Sequence, residues 1–198
     1  MLNSNTQDRN LFLSTTPLNE DQVNLQQIAA GDEQALRVLY NRHAQRLYAY
    51  ALRLTGNADL ANEALQESLL AIWRGAGTYR GTAAVSTWML GIVHHKAVDL
   101  IRRQSPQVSL QEEGMTAELA MQDDHPAALE RREVIRHNLS RLPAEQQAVL
   151  NLVFYQGKTL AEAALIMNCP LGTVKSRLNQ AKLNLKGLLK RSGMETEE

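Results

Sequence analysis

Apolar residues recur every three or four positions through most of the chain, a period typical of amphipathic α-helices. Residues 25–57 place seven of them at helical spacing: Leu36, Leu39, Tyr40, Leu47, Tyr50, Ala51 and Leu54. Further helices are predicted in "ADLANEALQESLLAIWRG" and "TWMLGIVHHKAVDLIRR", which are separated by a loop, "YRGTAAVS". Alternating runs typical of strands are scarce. The pattern therefore predicts an all-α protein.

Capping residues mark the ends of these helices. Gly31-Asp32 and Gly56-Asn57 each predict a break followed by an N-cap. Near the other end of the chain, Thr159 and Glu162 have the spacing of a capping box. Other expected helix ends in that half are Pro143 as a first helical residue, Gly157 as a stop, Asn168 in the left-handed conformation, a turn at 169–172 and Thr173 as the last N-cap.

Periodicity and composition divide the chain into segments. The prediction is two small helical domains joined by a flexible acidic linker. The segments are a disordered extension (1–20), a first domain (21–103), the linker (104–128), a second domain (129–191) and a tail (192–198).

The formal net charge of zero hides an uneven distribution of charge. Residues 104–128 hold five acids and no Lys or Arg, whereas residues 158–191 hold seven basic residues and one acid, Glu162. Such asymmetry is typical of a nucleic-acid-binding surface beside an acidic tether. The alternative is two ordinary solvated surfaces.

Composition excludes several kinds of site. The single cysteine, Cys169, can form neither an internal disulfide nor a thiolate metal centre. His94 and His95 are adjacent, so on a helix they point about 100° apart and rarely share a metal. We find no paired carboxylates, nucleophile–base arrangement or phosphate loop, and predict no catalytic residue, metal or cofactor. No signal peptide and no apolar run of about 18 residues is visible, which predicts a cytoplasmic protein without membrane insertion.

The last predicted helix has one apolar and one polar face. Its apolar stripe contains Val174, Leu178, Ala181, Leu185 and Leu188. A short capped helix, a tight turn and this longer helix would form a helix-turn-helix. Its Arg and Lys side chains suit guanine, and its Asn and Gln suit adenine, in a major groove. The alternative is an amphipathic helix with a solvated face.

Three stretches together resemble one protein family. "LSRLPAEQQAVLNLVFYQGKTLAEAALIMNCPLGTVKSRLNQAKLNLKGLL" resembles the promoter-binding domain, region 4, of extracytoplasmic-function (ECF) sigma factors, small sigma-70-type subunits of bacterial RNA polymerase. "NEALQESLLAIWR" is similar to the region 2 helix that binds the coiled coil of the polymerase largest subunit. "YRGTAAVSTWMLGIVHHKAVDLIRR" looks like the segment that melts and reads the minus-ten promoter element. The resemblance covers about residues 25–190.

The resemblance implies partners and contact residues. It implies an alternative sigma factor that binds core polymerase (the coiled coil and the flap) and promoter DNA, and is held inactive by an anti-sigma factor. The implied polymerase contacts are Glu63, Gln66 and Glu67. The implied minus-ten contacts are Arg80, Gly81, Thr82, Ala83, Ala84, Val85, Ser86, His94, His95, Lys96, Arg102 and Arg103. The implied minus-thirty-five contacts are Thr173, Lys175, Ser176, Arg177, Asn179, Gln180 and Lys182.

Some positions depart from the family pattern, and other functions stay open. Gln147, Asn168, Asn179 and Gln180 stand where relatives commonly carry other residues. Fewer charges on the last helix predict either weaker phosphate binding or a different upstream sequence preference. A free-standing helix-turn-helix repressor would lack the polymerase-binding helix at 62–73. A decoy that only titrates an anti-sigma factor would not need Lys175 and its basic neighbours. A small DNA-modifying enzyme would need catalytic groups that we do not find.

Overall fold

A computed structural model describes residues 19–104 and 126–193, with side chains at 19–103 and 131–193. These residues form eight α-helices and no strand, which confirms the all-α prediction. The helices are α1 (Glu20–Ala29), α2 (Glu33–Thr55), α3 (Ala58–Gly75), α4 (Val85–Gln104), α5 (Pro126–Ser140), α6 (Ala144–Leu150), α7 (Leu160–Ile166) and α8 (Leu171–Arg191). The predictions for residues 1–18, 105–125 and 194–198 lie outside the described residues.

Helices α1 to α4 pack into a first bundle around an apolar core. The predicted stripe of α2 lies in that core, where Leu39, Tyr50 and Ala51 have no exposed surface. Burying a side chain as large as that of Leu39 stabilises the fold by roughly 1.5–3 kcal/mol. Trp73 and Trp88 pack against this core from its edge.

Local caps set the boundaries of α2 and α3 as the sequence predicts. Asp32 Oδ1 accepts hydrogen bonds from the first-turn N–H groups of α2, and Asn57 Oδ1 does the same for α3. Gly31 and Gly56 have φ of 93° and 66°, values that few other residues adopt without strain. Both predicted breaks are confirmed.

Helices α5 to α8 form a second bundle, in which α8 packs on α5, α6 and α7. Thr159 and Glu162 form the predicted capping box at the start of α7. Asn168 ends that helix with φ 47°, in the left-handed region as expected. These local features confirm the order of a short capped helix, a turn and a long helix.

Four boundaries in the second half differ from prediction, and the first is Pro143, which is the N-cap of α6 rather than its first helical residue. Helix α8 begins at Leu171 with Pro170 at its N-cap, so Thr173 is not a cap. The last two residues of the turn predicted at 169–172 are therefore helical. The reason is that Pro170, fixed at φ −58°, accepts the first helical hydrogen bonds through its carbonyl. Helix α5 begins at Pro126, inside the predicted linker, because proline suits a first helical turn.

The fourth difference is a π-helical turn at Asn151–Tyr155, which continues α6 where an ordinary helix was expected. The two bundles also touch one another. Helix α7 lies against α4, while α6 and the π turn lie against α2.

Helix α1 is held to α2 by a buried carboxylate. Asp21 Oδ1 accepts from Arg42 Nη1 at 2.5 Å, and its Oδ2 lies 2.8 Å from His43 Nε2. The Asp21 side chain is 10 % exposed, whereas neighbouring Glu20, which also pairs with Arg42, is 81 % exposed.

We expect Asp21→Asn to lower the free energy of unfolding by about 1–3 kcal/mol, because it removes the charge of the buried acceptor that Arg42 and His43 share. Glu20→Gln is the matched control, and we expect it to change stability by under about 0.5 kcal/mol. Urea unfolding followed by circular dichroism measures both. Equal effects would show that the buried pair is no stronger than the exposed one.

Candidate DNA- and polymerase-binding surfaces

Helix α8 presents the polar face that the sequence predicts. Val174, Leu178 and Ala181 are buried against the rest of the second bundle. The opposite side of the same turns is exposed, and we call it the reading face: Lys175, Ser176, Asn179, Gln180 and Lys182. Thr173 is half-buried at its edge. Side chains with donors and acceptors of this kind recognise base edges in a major groove.

Arg177 occupies a different position from its neighbours on α8. Its Nη2 pairs with Glu145 at 2.7 Å, and its Nη1 lies 3.7 Å from Cys169 Sγ. The side chain is 25 % exposed. In this structure Arg177 therefore ties α8 to α6, and its DNA contact stays a prediction.

The loop between α3 and α4 is held in place by two aromatic residues. Tyr79 donates its hydroxyl to the Ala83 carbonyl and packs edge-on against Trp88, with ring centroids 5.6 Å apart. Arg80, Gly81, Thr82 and Ala84 are exposed, and Ala83 is half-buried. Val85 and Ser86 belong to the first turn of α4, where Val85 is buried. The loop thus presents a short exposed segment on a fixed base.

The basic residues of α4 are not equivalent. His95, Arg102 and Arg103 are exposed, and Lys96 is half-buried. His94 is buried, and its Nδ1 lies 2.8 Å from the hydroxyl of Tyr50. Burial, followed by the charges of His95, Arg177 and Arg102, lowers the pKa of His94 to about 4. His94 is therefore neutral at pH 7 and adds no charge to this surface.

The predicted polymerase contacts on α3 also divide into two kinds. Glu63 and Gln66 are exposed, but Glu67 pairs with Lys96 at 3.0 Å and with Arg103 at 3.6 Å. Its hydrogen bond from Lys96 holds the pKa of Glu67 below its usual value. Glu67 therefore links the α3 face to the basic surface of α4.

Two apolar features were missed in the sequence. Leu70 is 57 % exposed and lies one turn from Gln66, on the same face of α3. A leucine outside the apolar stripe was the available signal. The second feature is a groove of about 400 Å³ between α5, the π turn and α8. Its main lining residues are Ile135, Leu139, Leu150, Phe154, Leu185 and Leu189.

The described residues hold no group of three His, Cys, Asp or Glu side chains that could bind a metal ion. No helix among them is long and apolar enough to cross a membrane.

Family models match both bundles. Residues 39–107 match Sigma-70 region 2, and residues 132–185 match Sigma-70 region 4. The chain belongs to the ECF sigma factors of the sigma-70 family. Sigma factors of this family bind core RNA polymerase and direct promoter-specific initiation, and the predicted function is confirmed at that level.

Individual relatives agree with this assignment. The ECF sigma factor SigM of Mycobacterium tuberculosis is 35 % identical over 81 % of this chain and 80 % of its own length. SigL from the same organism is 34 % identical over 84 % and 95 %. Among solved structures, CnrH in complex with the cytosolic domain of CnrY matches with a TM-score of 0.65 and 20 % identity, over 87 % of this chain and 99 % of its own. RpoE of Bartonella quintana, solved with the anti-sigma factor NepR, has a TM-score of 0.64 and 22 % identity, over 78 % and 96 %.

We expect Glu67→Gln to raise the affinity of this sigma factor for single-stranded DNA about two- to fivefold, because it frees Lys96 and Arg103 to bind phosphates. The slope of log affinity against log salt should steepen by about 0.7 for each additional phosphate that the protein neutralises. Fluorescence anisotropy with a labelled oligonucleotide measures both quantities. Glu63→Gln removes the same charge from an exposed position nearby, and an equal effect there would contradict the specific role of Glu67.

Acid should destabilise the fold through His94. The unfolded chain takes up a proton near the ordinary histidine pKa of 6.5, but the folded chain does so only near 4. The contribution of neutral His94 to the free energy of unfolding is therefore fully present above pH 6.5. It is lost as the pH falls from 6.5 to 4, by up to about 3 kcal/mol. Urea unfolding at several pH values measures this slope.

His94→Gln should flatten that pH dependence, while His95→Gln, at the exposed neighbour, should retain most of it, because burial is the largest cause of the low His94 pKa. Wild-type slopes in both variants would rule out His94 as the source.

Proposed function

We propose that the reading face of α8 recognises the minus-thirty-five promoter element. The observation that carries this proposal is a continuous exposed row of Lys, Ser, Asn and Gln on the second helix of a helix-turn-helix. Lys175 and Lys182 are available for guanine or phosphate, and Asn179 and Gln180 for adenine. Arg177 would join them only after leaving Glu145.

The loop at 80–84 and the exposed end of α4 would open and hold the minus-ten element. Capture of unstacked bases needs a small pocket with cations around it to hold the phosphates. The loop supplies small residues on a base fixed by Tyr79 and Trp88. His95, Lys96, Arg102 and Arg103 supply the polar and basic surface beside it.

Two surfaces would contact core polymerase. Glu63, Gln66 and exposed Leu70 share one side of α3, where a coiled coil of the largest subunit would pack. The apolar groove beside α8 would take a helix of the flap, since such a groove suits the apolar face of an amphipathic helix.

We further propose an anti-sigma partner and a cytoplasmic location. RpoE of Bartonella quintana was solved with the anti-sigma factor NepR, and the fold of this chain is similar to it. We assign no catalytic step to the chain itself, because its family consists of transcription-initiation factors. Affinity capture from the native host should recover one stoichiometric protein partner, and recovery of the chain alone would contradict an anti-sigma factor.

In vitro transcription with core polymerase, on promoters found by selection from random DNA, tests the proposed function. We expect transcripts that depend on the chain and fall at least about tenfold in Lys175→Glu, because an attraction to the groove becomes a repulsion. Gln66→Ala/Glu67→Ala should reduce them through weaker binding to core enzyme.

Lys190→Glu is the matched control for Lys175→Glu, since it lies on the same helix about 22 Å further along. It should retain most activity. DNA binding without any core-dependent transcript would favour a free-standing repressor. The absence of both DNA binding and transcription would favour a decoy.

A further inference from the structure

Helix α8 carries one apolar side chain in the middle of its polar side. Leu183 is 70 % exposed and is the most exposed large apolar residue among those described. It lies on the side of the helix opposite the buried Val174, Leu178 and Ala181. A single exposed leucine is common at a protein surface. The place of Leu183 among polar residues, rather than its exposure alone, points to an apolar partner outside the chain.

Leu183 continues the row of side chains at the centre of the reading face. It follows Asn179 by four residues and Gln180 by three, and it follows Ser176 by seven. Residues at these spacings share one face of a helix. The next position of the row is Gly187, which has no side chain and where an added Cβ would meet nothing within 4 Å. Leu183 is therefore the last side chain of the continuous row.

Leu183 lies apart from the other described surfaces of the second bundle. The apolar groove is lined by Lys182, Leu185 and Lys186 of this helix, but not by Leu183. The face that packs on α5, α6 and α7 carries residues such as buried Ala181, on the far side of the helix. Among the described surfaces, only the reading face can use Leu183.

The length of the row fits within a major groove. At about 1.5 Å per residue, Ser176 and Leu183 lie about 10 Å apart along the helix axis. The major groove of B-DNA is about 12 Å wide. A helix that places Ser176 and Gln180 against base edges therefore keeps Leu183 within the same groove. Leu183 would meet a base pair next to those that Asn179 and Gln180 contact.

Two lysines flank Leu183 on the surface of α8. Lys182 precedes it directly and Lys186 follows it by three residues, and both are exposed. Lysines beside a helix in the major groove contact the phosphates that border the groove. Such contacts would hold the turn that contains Leu183 against the bases.

Thymine offers the chemistry that an apolar side chain can recognise on a base edge. Its C5-methyl group projects into the major groove, where apolar side chains contact it. Leucine has neither a donor nor an acceptor, so Leu183 cannot read the polar edges of guanine or adenine. A protein partner would need a wider apolar patch than this one, because the neighbours of Leu183 in the row are Asn179, Gln180 and Gly187.

We propose that Leu183 is a specificity-determining residue, which recognises the C5-methyl group of a thymine at the edge of the minus-thirty-five element. The proposal rests on the function proposed above for the reading face and deepens it. Asn179 and Gln180 select bases by hydrogen bonds, whereas Leu183 selects by apolar contact. Leu183 would therefore distinguish thymine from cytosine, which has a similar shape but no methyl group.

Deoxyuridine tests this contact, because it pairs with adenine as thymine does but lacks the methyl group. The probe is promoter DNA selected with the full chain bound to core polymerase, the holoenzyme. Each thymine of the upstream element is replaced singly by deoxyuridine, and competition binding to the holoenzyme measures the relative affinities. We expect one replacement to lower the affinity of the wild type about two- to fivefold, through the loss of one buried methyl group.

Variants of α8 assign that effect to Leu183. Leu183→Ala should bind the thymine promoter about two- to fivefold less tightly and should not distinguish thymine from deoxyuridine at that position. It should keep its fold, since Leu183 is exposed and alanine favours a helix. Leu183→Met retains an apolar side chain and should retain the discrimination. Leu165→Ala is the matched control, because it removes a leucine that is 58 % exposed on α7, and it should behave like the wild type.

The outcomes separate this proposal from the proposed function. A wild-type holoenzyme that is indifferent to every replacement would overturn the proposal, as would discrimination that persists in Leu183→Ala. If Leu183→Ala weakened binding to an indifferent promoter, the partner of Leu183 would be a protein instead. Selective binding by the wild type would leave the proposed function standing in each of these cases. A holoenzyme without any sequence-selective binding would remove the proposed function, and this proposal with it.

Discussion

Helix α4 is the element on which the rest of the structure depends, because three different surfaces must share its twenty residues. Met89, Leu90 and Val93 fill the core of the first bundle. Thr87 and Gly91 meet region 4. The residues left for solvent carry the exposed basic groups. With about 3.6 residues per turn a helix offers few independent faces, so the core, the contact with region 4 and the exposed basic groups share one rigid element.

Much of the fold could be predicted because its signals are local. The caps at Asp32, Asn57 and Thr159 each depend on residues within three positions, and the left-handed Asn168 depends on one. Apolar periodicity located α2, α3, α4 and α8. The N-cap was predicted at Thr173 because threonine is a good capping residue. The helix instead begins after Pro170, whose ring fixes its own backbone.

The sequence could not reveal which charged residues are used inside the molecule. Glu67, Arg177 and His94 were all predicted contact residues, and each has an intramolecular partner more than five residues away. Such pairs depend on helix packing, which periodicity does not describe. The π turn was missed for the same reason, since Asn151 and Gln156 within and beside it bond to the other domain. Under the proposed function, Glu67, Arg177 and His94 would each have to leave an internal partner before contacting DNA or polymerase.

Under the proposed function, this competition would explain how a chain without net charge binds an anionic ligand selectively. A freely exposed cation binds phosphate of any sequence, whereas a cation paired to a carboxylate must first give up that partner. Arg177 held by Glu145, and Lys96 held by Glu67, lower non-specific attraction more than they lower a contact of good geometry. Selectivity then follows from the internal partners of the charges rather than from their number.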